Sequence, residues 1–323
     1  MRLGRKIAVF CMVVGLVGVA SIGAVQAADK FPSRPIELLV PTAPGSGASL
    51  FTQITAKAAS QALNNPIDVQ HKPGGNGNVL ANYLMKQPAD GHTIGLYVGS
   101  NAGYMNMPGF QTKVEDFTYV AQIMRQVHCI YVHKDSPHKT IQDLIAFAKK
   151  NPGALDIGTN KVGSVHFYNA EAFAKAAGIK INNIPYAGSG EATKDVMGKH
   201  LTASITGPFT IITKPEYLRV LVVLTDKRLP QMPDIPSISD IGLNYEPLQQ
   251  IWGLQVRKGV PANRLEILRK AFKAAMEDPE FKKLADEPGN VAEWIDTDKF
   301  DPLIHRNHAA YRQALIELNL IKK

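Results

Sequence analysis

Apolar and polar residues follow two rhythms along this chain, and the rhythms alternate. IELLV (36–40) is an unbroken apolar run ending at Pro41, the pattern of a strand buried on both faces. The next segment, SLFTQITAKAASQALN (49–64), puts Phe51, Ile54, Ala58 and Leu63 toward one side of a helix. IDVQHK (67–72) reads as a second strand, PGGNGN (73–78) as a turn that opens the helix VLANYLMKQ (79–87), and HTIGLYVGS (92–100) as a third strand. This strand–helix order predicts a mostly parallel sheet with helices on both faces.

DFTYVAQIMRQVHCIYVHKDS (116–136) breaks the alternation: it is long and extended, with no helix signal inside it. Beyond it the pattern restarts. TIQDLIAFAKKN (140–151) opens with a Thr-x-x-Asp cap, and ALDIGTN (154–160) is a strand. SVHFYNAEAFAKAAG (164–178) is a helix stopped by Gly178, followed by the strand INNIPYA (181–187) and the short helix SGEATKDVMG (189–198). LTASIT (201–206) and YLRVLVVLTD (217–226) are strands, and EPLQQIWGLQVRKG (246–259) is a second long extended segment. The remaining patterns, 261–278, 279–287 and 301–320, are helical. Two alternating blocks with two crossings predict two α/β lobes joined by two strands. Residues 28–127 with 253–323 form the first lobe and 128–252 the second, with a ligand cleft at the carboxyl ends of the parallel strands.

The ends refine this picture. Arg2, Arg5 and Lys6 precede an apolar run from Ile7 to Val25, and Val25 and Ala27 are small residues placed for cleavage before Ala28. That is the pattern of a secretory signal, residues 1–27, and it implies a periplasmic mature chain; an uncleaved anchor is the alternative. The formal charge of +8 falls to about +5 without those three basic residues. Lys and Arg are scattered with no run of five, so no nucleic-acid surface is expected, while the mild positive balance favours an anionic small ligand. Cys11 lies in the leader and Cys129 alone remains, expected as a packed strand residue, so no internal disulfide forms in the mature chain.

Four loops share a design: each follows a strand, is rich in Gly, Ser or Thr, and precedes a helix or turn. They are PGSGAS (44–49), GSNAG (99–103), GTNKVGSVH (158–166) and YAGSGE (186–191). Helix starts leave backbone N–H groups unpaired under a partial positive charge, glycine lets an anion approach them, and serine adds a hydroxyl. The same residues also serve as plain helix caps. No serine stands in a G-x-S-x-G frame, Gly198-Lys199 is followed by His200 without an upstream glycine, and H-E-x-x-H is absent. His128, His133 and His138 recur every five residues, a weak metal pattern. His166 either donates to a ligand or caps its helix, and Glu191 and Asp195 read as solvated acids on one helix face. No cofactor or metal is expected.

Together these segments resemble the extracytoplasmic solute-binding proteins of tripartite tricarboxylate transporters, the Bug-type receptors. The resemblance spans nearly all of the mature chain: FPSRPIELLVPTAPGSG, HKPGGNGNVLANYLMKQPADGHTIGLY, DFTYVAQI, IGTNKVGSVHF, NIPYAGSGEATKDVMGKHL, LPQMPDIPSISDIGL and WGLQVRKGVPANRLEILRKAF, in that order. It implies a two-lobe type II periplasmic-binding fold that closes on a small organic anion and delivers it to a membrane permease, as a monomer and without catalysis. A sensory role, or a hydrolase on the same scaffold, is the alternative. Pro44, Gly45, Ser46, Gly47 and Ser49 would face Thr159, Gly163, Ser164 and His166 across the cleft and grip a carboxylate. Ser100 and Asn101 match a third family loop, and Tyr186, Gly188 and Ser189 a fourth.

The chain departs from the family where Ala48 and Ser49 stand in place of Thr-Asp and where Thr206 stands in place of an Asp. Without those acids an ammonium group is not recognised, which implies a mono- or dicarboxylate, aromatic ones included, over an amino acid. Phe209 lies in a segment shorter than the family's and is expected to pack within its lobe.

Overall fold

A computed structural model describes residues 30–322. The leader and its cleavage point between Ala27 and Ala28 lie outside the described residues. The elements run β1 (Ile36–Val40), α1 (Gly47–Leu63), β2 (Ile67–His71), α2 (Asn78–Lys86), β3 (Thr93–Val98), α3 (Asn101–Tyr104) and β4 (Phe117–Gln126). After these come β5 (Cys129–His133), α4 (Ile141–Lys150), β6 (Leu155–Asn160), α5 (Val165–Ala177), β7 (Ile181–Tyr186), α6 (Ser189–Met197), β8 (Ala203–Thr206), α7 (Pro208–Ile212) and β9 (Leu218–Val223). The chain closes with β10 (Gln250–Arg257), α8 (Ala262–Ala275), α9 (Pro279–Ala285), β11 (Asn290–Asp296) and α10 (Thr297–Glu317).

These strands build two sheets, ordered β11-β4-β10-β3-β1-β2 and β7-β6-β8-β5-β9. β4 belongs to the first and β5 to the second, with only Val127 and His128 between them; the chain returns between β9 and β10. The sheets are mixed, where the sequence pattern predicts mostly parallel ones. β1, β2 and β3 are mutually parallel, but β10 is antiparallel to β3 and β4, and β11 to β4. β6 pairs parallel with β7 and β8, while β5 runs antiparallel to β8 and β9. The reason is the double crossing: a chain that leaves a sheet along one strand must come back along another in the opposite direction. Gln250–Trp252 therefore belong to the first sheet, whereas the sequence division puts them with the second lobe.

Burial explains the unbroken apolar runs. Leu38 and Val40 face a cluster with Phe51, Leu268, Phe272 and Phe281, while Leu39 faces the opposite cluster with Leu80, Leu84, Tyr97 and Phe300. Both sheet faces are covered, so alternation disappears from β1. In the second sheet Ile130 and Ile157 pack with Leu144 and Phe173, and Cys129 and Tyr131 pack with Val196 and Ile211 on the other side. Cys129 is buried as expected, and that burial pushes its thiol pKa up. Phe209 is the exception: it is 37% exposed, because the single turn of α7 points Ile211 inward and leaves Phe209 and Ile212 outside. α10 bridges the sheets. Phe300 and Ile304 lie on the first, while Tyr311 packs tilted against Tyr168 of α5 (centroids 5.3 Å) and Glu317 pairs with Lys175 at 3.0 Å. Among the described residues no helix is long and apolar enough to cross a membrane.

Candidate ligand cleft

The parallel strands of each sheet end on the edge that faces the crossings. β1 and β3 deliver the loops at 41–46 and 99–100; β6, β7 and β8 deliver those at 161–164, 187–188 and 207. Register aligns Asn160 with Tyr186, so these two strands end level.

Each loop is shaped by its first helical turn. Ser46 caps α1: its hydroxyl accepts from Ser49 N–H at 3.1 Å and lies 2.6 Å from the Thr42 hydroxyl. Helix geometry leaves the N–H groups of Gly47 and Ala48 without an intrahelical partner. Pro44, Gly45 and Gly47 are exposed; Ser49 is buried, and its hydroxyl accepts from Gln53 at 3.5 Å. Ser164 caps α5 in the same way, accepting from Phe167 N–H at 3.1 Å. Thr159 donates to Asn183 at 2.7 Å. Gly188 is the N-cap residue of α6, which begins at Ser189, without a side-chain cap. The Tyr186 hydroxyl donates to Asp195 at 2.7 Å, so that acid is partnered and not simply solvated. Thr206 is buried opposite Cys129.

The fold brings some of these loops together. Val165 N–H donates across the sheets to Ser100 Oγ at 3.3 Å, and Ser100 donates to Gln250 at 3.4 Å. A Cβ on Gly103 would lie 2.0 Å from the Gly163 carbonyl, which measures how closely α3 sits on the 161–163 loop. Lys161 donates to Asn76 at 3.3 Å. Among the described residues Pro44–Ser49 and Tyr186–Ser189 make no hydrogen bond to the opposite sheet's loops, so that side of the cleft is not zipped shut.

A histidine pair lies at the crossing. His128 and His166 rings stand 4.3 Å apart, and both are buried. Burial drops the His166 pKa to about 4. Burial, reinforced by His166, also holds His128 well below the usual histidine range. Both rings are neutral near pH 7. Asn160 contacts His166 Nδ1 at 3.1 Å, and Asn169 contacts His128 Nδ1 at 3.3 Å.

Sequence reasoning missed His128, Asn169, Asn76 and Lys161. The 73–78 glycine run was legible only as a turn. In the structure Gly74, Gly75, Asn76 and Gly77 all take positive φ, and Asn101 Oδ1 sits 3.1 Å from where a Gly77 Cβ would stand. For His128 the available signal was its place in the middle of the extended crossing segment.

The sequence profile described as "Tripartite tricarboxylate transporter family receptor" matches residues 51–319. A UPF0065 protein of Agrobacterium vitis is 31% identical over 258 residues, 79% of this chain and 75% of that protein. Protein BugT of Bordetella pertussis is 27% identical over 284 residues, 86% of each chain. A TctC solute-binding protein from Polaromonas, solved without ligand, superposes with a TM-score of 0.75 at 25% identity, covering 89% of this chain and 100% of that one. An R. palustris protein solved with adipate gives 0.78 at 23% identity, over 88% and 97% of the two chains. MatC of Rhodopseudomonas palustris, solved with malate, gives 0.75 at 18%, over 88% and 99%. Two sheets joined by two crossings, loops gathered at their facing edges and a profile match over most of the chain lead to one assignment: the chain belongs to the tripartite tricarboxylate transporter receptor family.

Proposed function

We propose that this protein is a periplasmic, monomeric receptor that captures a small mono- or dicarboxylate, aromatic acids included, and presents it to the permease of a tripartite tricarboxylate transporter. The observation that carries this reading is that three of the four facing loops hold no acid, while in the fourth Glu191 is turned back on its own loop, accepting from Ala187 N–H at 3.3 Å. No Asp or Glu occurs in 44–49, 99–103 or 158–166, and Thr206 adds none. Around them stand the starts of α1 and α5, whose N–H groups favour an anion. Adipate and malate in structural neighbours support the same ligand class.

In this reading Pro44, Gly45, Ser46, Gly47 and Ser49 hold one side of the acid, and Thr159, Gly163, Ser164 and His166 the other. Ser100 and Asn101 close the floor, and Tyr186, Gly188, Ser189 and Thr206 complete the second lobe's wall. The lobe boundary falls at Gln250, where β10 begins. The lobes close by a hinge at the two crossings, and the ligand leaves unchanged.

The test is thermal unfolding of the mature chain with adipate, malate, citrate, benzoate, aspartate and glutamate. A ligand at a hundred times its Kd stabilises the folded state by about 2.7 kcal/mol. The midpoint is expected to rise with one class of plain carboxylate and stay put with aspartate and glutamate. A rise with the amino acids alone, or with none of the six, overturns the proposal.

A further inference from the structure

The buried polar atoms near the meeting of the sheets that have no hydrogen-bond partner in the protein include His128 Nε2, Asn160 Oδ1 and Gln249 Oε1. His128 is the most constrained of the three residues, at 1% exposure. Its proton can be placed by following the hydrogen bonds around it. Leu248 N–H donates to Asn169 Oδ1 at 3.0 Å, and Asn169 Nδ2 donates to Leu248 O at 2.9 Å. A backbone N–H only donates and a carbonyl only accepts, so the orientation of the Asn169 amide is fixed. Its nitrogen therefore also faces His128 Nδ1, at 3.3 Å. Nδ1 must accept, and the ring's single proton sits on Nε2. The result is a buried N–H donor with nothing in the protein to receive it, an arrangement native proteins rarely leave uncompensated.

Its surroundings say what could receive it. The His128 ring lies against His166, in the first turn of the 13-residue helix α5, where backbone N–H groups also collect. Burial alone lowers His166, and burial with His166 lowers His128; no carboxylate, ammonium or guanidinium acts on either ring among the described residues. The Nε2–H and the helix-start N–H groups call for an acceptor oxygen, and a carboxylate supplies one; Asn160 Oδ1 and Gln249 Oε1 are themselves acceptors and do not compete for it.

We propose that His128 is a ligand-contacting residue of the cleft, donating its Nε2–H to an oxygen of the bound acid. This rests on the carboxylate reading above and adds the residue that links cargo to hinge. His128 occupies the first crossing, and its other ring nitrogen is held, through Asn169, by Leu248 on the second. An acid bound at Nε2 is thus tied to both crossings at once.

The test uses the whole mature chain labelled with nitrogen-15 histidine, with adipate, malate and benzoate as probes and the thermal midpoint recorded in parallel. The free protein is expected to show His128 as a neutral ring protonated at Nε2. The acid that raises the midpoint is expected to move that Nε2–H resonance. His128→Phe keeps a ring and removes the donor, and should weaken binding by about tenfold or more. His128→Gln restores an N–H near the Nε2 position and should stay within about threefold. A raised midpoint with an unmoved Nε2–H, or unchanged binding by His128→Phe, overturns the inference and leaves the receptor reading intact. No midpoint rise with any of the three acids counts against the carboxylate reading and overturns the inference with it. If His128→Phe does not fold, the resonance of the unaltered protein decides.

Discussion

Single residues do two kinds of work at this cleft, and glycine separates them. Gly103 has Gly163 O at 2.0 Å and Tyr311 at 2.9 Å from the place of a Cβ, so a methyl there must push α3 off the opposite loop. Gly188, in another cleft loop, has nothing within 4 Å and an extended φ of −164° that any residue adopts. Gly103→Ala is expected to cost about 3 kcal/mol in urea unfolding, the upper range of ordinary overpacking, and Gly188→Ala less than about 0.5 kcal/mol. Equal effects would mean that the contact between α3 and the 161–163 loop is not tight in solution. Ser164 illustrates the other kind of work. Its hydroxyl caps Phe167 N–H, so Ser164→Ala should cost about 1 kcal/mol of stability before any ligand is added, and affinity changes in that variant must be read against it.

At the scale of elements, the crossings are where polar side chains replace apolar packing. Asn169 in α5 gives both halves of its amide to Leu248 and its remaining hydrogen to His128, so one side chain fastens the helix to both connections. Asn169→Ala leaves a backbone N–H, a carbonyl and a ring nitrogen unpaired inside the protein. It is expected to lower stability by roughly 3 kcal/mol, read as a lower urea midpoint with an unchanged slope. A loss under about 1 kcal/mol would show that water takes over these bonds. Nothing in the sequence announced this fastening, because Asn169 sits inside a helical pattern whose apolar positions alone carry the periodic signal. What was legible were features with a local cause: the buried run of β1, the Thr140–Asp143 capping box of α4, the Ser164 helix start, and the left-handed Gly178 that ends α5, whereas α1 starts two residues before the Ser49 read from the pattern, capped by Ser46. β11 escaped notice because NVAEWID sits half-exposed at a sheet edge and shows little apolar alternation. α7 escaped because a single turn after Pro208 is too short to display a period. The antiparallel strands of both sheets follow from the double crossing, a long-range fact that no local pattern encodes.

At the scale of the whole molecule, the seam between the sheets makes stability depend on pH. His166 is held near pKa 4 by burial, and an unfolded histidine titrates near 6.5. Below pH 6.5 the unfolded chain therefore takes up a proton that the folded chain refuses until about pH 4. Stability from this ring is complete above pH 6.5 and falls as pH drops toward 4. The size is about 2 kcal/mol lost between pH 7 and pH 5, on the order of the figure linkage gives for such a gap. His128 is lowered by the same burial, with His166 adding to it, and pushes in the same direction. Carboxylates whose pKa is depressed, such as Asp90, lose their contribution only at lower pH, so the two effects separate along the pH axis. The urea midpoint of the wild-type chain is expected to drop clearly from pH 7 to pH 5. In His166→Gln, which cannot take up that proton, the drop should shrink by the share of one ring. An acid bound across the pair would add a second signature, because a carboxylate beside the rings favours their protonated form and raises their pKa. The pH 5 loss should then be smaller with saturating adipate or malate than without. A midpoint flat from pH 7 to pH 5 would mean that the rings reach solvent, and that the seam between the sheets is open in the free protein.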